Sequence, residues 1–168
     1  MPNILVPVDG SENSLLAAAH AVGLARRHTD LRVHLLNVQP AMPRHAARFV
    51  SRRALAGARE DSGRVRLAAA ERLLRDAGVP YQSAVRSGDA AIAAARYARE
   101  HDISRVVVGT TRKSTLARLL TGSFANDLLQ RVNVPVEVIA GGKPGVLVRI
   151  GLPAGLGVGL ATLLLAVD

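Results

Sequence analysis

Short apolar runs alternate along the chain with longer stretches in which apolar residues recur every three or four positions. Asn3 to Val8 is a β-branched, apolar run that stops at Asp9-Gly10-Ser11. A run without alternation suits a strand covered on both faces, as in a parallel sheet. Leu15, Ala18, Ala19, Val22 and Ala25 then fall on one helical face, and Ser11 or Asn13 can cap that helix. Arg32 to Val38 predicts a second strand. Residues 39 to about 60 hold two prolines and many arginines without clean periodicity, so they read as a long, partly helical connection.

The spacing predicts a firm helix from about Ser62 to Ala77, stopped by Gly78 and Pro80. Tyr81 to Arg86 reads as a third strand, and Asp89 caps an alanine-rich helix reaching about Glu100. Arg105 to Gly109 is the fourth strand and Val134 to Ile139 the fifth. Between them Ser123 opens a short helix whose Ala125, Leu128, Leu129 and Val132 share a face. Strands alternating with helices define βαβ units with right-handed crossovers. The expected class is therefore α/β, three layers around a doubly wound, five-stranded, mostly parallel sheet. The expected organisation is one domain over residues 1–140, a Gly/Pro linker over 141–145 and an apolar tail over 146–168.

Composition narrows the function classes. A chain of 168 residues can bury a core without metal or disulfide support. It contains no cysteine, which excludes thiol catalysis, cysteine-ligated zinc and disulfides and is consistent with a reducing compartment. The formal net charge of +9 favours anionic partners or marks an arginine-rich solvated surface. Two Phe, two Tyr and no Trp leave few rings for stacking bases, so nucleic acid is disfavoured. The opening MPNILVPVDG lacks the features of a secretory signal, so a cytoplasmic domain is expected.

Ligands of open α/β sheets bind at the carboxyl ends of the strands, where strand order reverses. Asp9 and Gly109 end the first and fourth strands, the positions expected to flank that crevice. Asp9 could bond ribose hydroxyls or a phosphate-bound metal, or simply cap a turn. In the loop GTTRKSTLARLLTGS, Gly122-Ser123 immediately precedes a helix, whose free amides and dipole suit a phosphate. The plainer account is an ordinary helix cap. Arg112, Lys113 and Arg118 add positive charge to the loop. It is not a Walker A loop, and there is no G-x-S-x-G elbow. The five histidines show no metal-ligand spacing and read as structural or surface groups.

These residues resemble the universal stress protein family. ILVPVDGSENS is similar to its first β–α unit, and VVVGTTRKSTLARLLTGSFANDLLQRVNVPVEVI to its carboxyl-terminal signature. The resemblance implies strand order 3-2-1-4-5 and homodimers paired through the fifth strand, here Val134 to Ile139. It also implies a site for ATP, ADP or AMP, with Mg²⁺ as a candidate companion. Asp9 would lie near the ribose, the Val38 backbone near the adenine, and Gly109, Gly122 and Ser123 near the phosphates. The implied site is Pro7, Val8, Asp9, Val38, Gly109, Thr110, Arg112, Gly122, Ser123 and Phe124. Arg112 replaces the second glycine of the family's G-x2-G-x9-G-(S/T) loop. A required positive φ would make it a strain of about 1–2 kcal/mol; if only room is required, its guanidinium can reach phosphate.

Ile150 to Val167 gives 18 residues without a charge, the lower limit for a membrane-spanning helix. Gly151, Gly155 and Gly159 make a small-xxx-small pattern, and Lys143 and Arg149 precede the run. Residues 146–167 are therefore a candidate anchor to the inner face of a membrane, or an apolar tail that docks on protein. The first functional expectation is a stress-response regulatory module that binds nucleotide without strong catalysis. A nucleotide-free member acting only through protein contacts is the alternative. An ATP hydrolase or phosphotransferase comes last, because no acid–base or nucleophile pair is evident.

Overall fold

The computed structural model describes residues 2–41, 51–111, 124–141 and 147–150. Strand β1 (Asn3–Pro7) leads into α1 (Glu12–Arg27), β2 (Arg32–Gln39), α2 (Arg52–Asp76) and β3 (Tyr81–Ser87). Helix α3 (Ala90–Glu100), β4 (Ile103–Thr111), α4 (Phe124–Leu129), β5 (Val136–Gly141) and β6 (Leu147–Ile150) complete the order. The sheet runs β3-β2-β1-β4-β5-β6. Its first five strands are parallel, in the expected 3-2-1-4-5 order, with helices on both faces.

Helix starts follow the local chemistry anticipated for them. Ser11 caps α1, its hydroxyl accepting from Ser14 N at 3.3 Å, and Asp89 caps α3, accepting from Ile92 N at 2.9 Å. Helix α2 begins ten residues before the periodic stretch, capped by Ser51. Its first turns are largely exposed, so they need no apolar stripe; the stripe appears only where Leu67, Ala70 and Leu74 meet the sheet. An exposed Glu60–Arg64 pair at 3.0 Å lies along the way. Strand β5 starts at Val136 rather than Val134, since Pro135 has no N–H to donate to the ladder.

The core divides by strand alternation. Ile4, Val6, Val33 and Leu35 face α1 and α2, whereas Leu5, Leu36, Val106 and Val108 face α3 and α4. On the first face Glu137 is buried, with His20 Nε2 at 2.9 Å and Arg105 Nη1 at 3.3 Å. On the second, buried His34 lies 3.0 Å through Nδ1 from the Tyr97 hydroxyl, and Tyr97 stacks on His101 with centroids 4.0 Å apart. His20, His34 and His101 thus serve packing, and among the described residues no cluster could hold a metal ion.

Strand β6 carries the sheet into the start of the apolar tail. Leu147–Ile150 pairs antiparallel with β5, Val136 opposite Ile150 and Glu137 opposite Arg149. Of the candidate anchor over 146–167, Leu147–Ile150 extends the sheet, its apolar run meeting a ready edge. The β5 edge expected to receive a second copy carries a strand of the same chain. Among the described residues no helix is long and apolar enough to cross a membrane, and residues 151–168 lie outside them.

Candidate functional site

Strand order reverses between β1 and β4, whose outward crossovers leave a crevice beyond their carboxyl ends. A cavity of about 310 Å³ opens there, at the small end of the range for ligand sites. Pro7, Val8, Asp9, Val38, Gly109, Thr110 and Phe124 line it, bringing together seven of the expected residues from four separate segments. Arg112, Gly122 and Ser123 lie outside the described residues. Ser14, Leu36, Asn37, Ala90, Val108 and Ala125 complete the wall. Sequence reasoning missed these six. Only the small size of Ala90 and Ala125 at two helix starts could have hinted at room.

The β1 corner is held by a compact set of bonds. Gly10 adopts φ +86, which a side chain would resist, and lets the chain turn from strand to helix. Asp9 Oδ1 accepts from Ser11 N at 2.9 Å, and Ser14 Oγ donates to the Ser11 carbonyl at 2.8 Å. Arg66, reaching from α2, donates to the Asp9 carbonyl at 3.1 Å. Burial pushes the Asp9 carboxyl up, but hydrogen bonds from Ser11 and Ser14 outweigh it and hold Asp9 below its usual value. Asp9 is thus an exposed anion at the cavity rim that also caps its own turn.

Across the crevice, Gly109 meets the first turn of α1. A side-chain carbon added there would overlap the Asn13 carbonyl group. Glycine is therefore required at this strand end for close packing, whatever the cavity holds. Val38, at the β2 end, contributes the third wall, and Phe124 and Ala125 at the start of α4 the fourth.

An open, doubly wound α/β domain with a small cavity at its switch point and an anionic rim residue defines the class. The universal stress protein family model matches residues 1–140. The chain belongs to the universal stress protein family. It is 28% identical over 142 residues to universal stress protein MJ0531 of Methanocaldococcus jannaschii, a match spanning 81% of this chain and 80% of that protein. The solved structure of hypothetical protein MJ0577 superposes with TM-score 0.67 at 21% identity, covering 83% of this chain and 96% of that one. A family protein from Burkholderia pseudomallei gives TM-score 0.62 at 27% identity, covering 82% and 94%. Structural neighbours at 18–20% identity include universal stress proteins solved with cAMP, with AMP (from Arabidopsis thaliana) and with dAMP (from Archaeoglobus fulgidus).

Proposed function

We propose that this domain binds an adenine nucleotide in the switch-point cavity and acts as a stress-response regulatory module without strong catalysis. The observation that carries this reading is the convergence of Pro7, Val8, Asp9, Val38, Gly109, Thr110 and Phe124 on one cavity. The neighbours that hold AMP, cAMP and dAMP support the ligand class. In this reading Val38 meets the base, Asp9 the ribose, and the loop closing at Gly122-Ser123, with Arg112, the phosphates. ATP with Mg²⁺ is the form we favour, with ADP or AMP as alternative ligands.

One observation favours the nucleotide-free alternative: the Asp9 carboxylate already caps the Ser11 amide. Calorimetric titration of the full chain with ATP, ADP and AMP, with and without Mg²⁺, separates the two. We expect saturable one-to-one binding that Gly122→Asp abolishes, because a carboxylate would then face the phosphates. No heat and no thermal shift with any nucleotide would leave the protein-contact role. Steady phosphate release above background would instead revive an ATP hydrolase. We place the domain in the cytoplasm, with the part of the 146–167 stretch that follows β6 as a membrane contact; complete recovery in the soluble fraction after carbonate extraction would refute the tether. A homodimer joined through β5 would first have to displace β6.

A further inference from the structure

Asn37 and Gln39 sit near the end of β2, and both are almost wholly buried. Gln39 Nε2 donates to Asn37 Oδ1 at 2.6 Å, and Asn37 Nδ2 donates to the Val8 carbonyl at 2.6 Å. The first bond fixes which end of the Asn37 carboxamide can face Val8, because a flipped amide would set donor against donor and acceptor against acceptor. Leaving either group unpaired in this environment would be costly.

The consequence lies in the main chain. In a parallel ladder each residue turns both its N–H and its C=O to one neighbouring strand, and successive residues alternate. The Leu36 carbonyl accepts from Val8 N at 2.8 Å, so Leu36 faces β1; the Gln39 carbonyl accepts from Gly88 N at 2.9 Å, so Gln39 faces β3. Val38 therefore turns its N–H and C=O toward the β1 side, where β1 has ended at Pro7 and the cavity begins. Regular continuation would bond the Val38 N–H to the Val8 carbonyl. Asn37 occupies that carbonyl instead.

We propose that the Asn37–Gln39 relay is a positioning device: by taking the Val8 carbonyl, it leaves the main-chain donor and acceptor of Val38 open to the base of a bound nucleotide. The proposal rests on the nucleotide reading and deepens it. A donor and acceptor offered in fixed order match a purine edge with an acceptor beside a donor, as at N1 and the 6-amino group of adenine. Hypoxanthine inverts that order, with a protonated N1 and a 6-oxo group, and should be held less well.

The test measures AMP, IMP and ribose 5-phosphate binding to the full chain and to its Asn37→Leu and Gln39→Leu variants. The unmodified chain should prefer AMP to IMP. Each variant should lose about tenfold in AMP affinity, the equivalent of one broken base contact, and its preference over IMP should shrink toward unity. Ribose 5-phosphate, which has no base, should bind both variants as it binds the unmodified chain. Gln39→Leu keeps Asn37 in place and serves if Asn37→Leu melts below the assay temperature. A parallel fall in AMP and ribose 5-phosphate affinity would make the relay merely structural and overturn the proposal, as would unchanged AMP binding. If the unmodified chain binds ribose 5-phosphate and no nucleotide, or nothing at all, the nucleotide reading itself fails and the relay falls with it.

Discussion

Helix α1 lies directly on the sheet, with Ala17, Ala18 and Ala21 fully buried and its first turn pressed against Gly109. On the opposite face, α3 and α4 also present alanines, yet Ala90 and Ala125 border open space at the strand ends. Small residues thus have opposite consequences on the two faces. Under α1 they let main chain approach main chain; at the starts of α3 and α4 they leave a hollow that larger side chains would fill. The polar groups sealed into each face differ as well. The α1 face buries a carboxylate beside two basic groups, and the α3 face buries an imidazole against a phenol. The crevice lies where one helix is tight and the others stand back.

The largest effect should come from spoiling the tight side. Gly109→Ala should cost on the order of 3 kcal/mol, since the added carbon must displace the α1 main chain. Urea unfolding would report it, and an unchanged midpoint would mean that the two backbones do not approach as described. On the other face, Tyr97→Phe removes the hydroxyl next to His34 Nδ1 and should cost about 1 kcal/mol. Equal losses for both substitutions would erase the contrast between the faces.

The smallest effect is a dependence on pH. Burial, followed by the charges of His101 and Arg32, holds the His34 pKa below its ordinary 6.5. Above that value the ring is neutral whether the chain is folded or not, and nothing is lost. As pH falls through 6.5 the unfolded chain takes up the proton first, so stability declines until the folded value is passed. Melting temperature should therefore drop on acidification below pH 6.5, and His34→Leu should flatten that part of the profile. A profile identical to that of the unmodified chain would assign the acid sensitivity to other groups.

Much of this architecture was legible in the sequence because local signals agreed with the global fold. Unbroken apolar runs such as Ile4 to Val6 and Val106 to Val108 announced strands buried on both faces, and Ser11 and Asp89 announced helix starts. The early start of α2 was hidden, since an exposed helical turn leaves no hydrophobic period to read. Glu137 gave no warning either: a single acidic residue in an apolar strand looks like a solvent-facing position until its partners on α1 and β4 are known. Along the cavity, Asp9 and Gly109 were legible as strand ends, whereas Val38 came only from the family resemblance. The Asn37–Gln39 relay was not legible, because it depends on which strand neighbour each main-chain group faces, and composition carries no trace of that.

Strand β6 has a bearing on how the polypeptide behaves if shortened. The family match stops at residue 140, yet Leu147–Ile150 folds back along the last parallel strand. Trimming at that boundary would strip away the cover and bare a rim of unsatisfied amides and carbonyls, the kind of surface on which neighbouring molecules zip together. For solubility, the natural end of this fold comes later than its homology does.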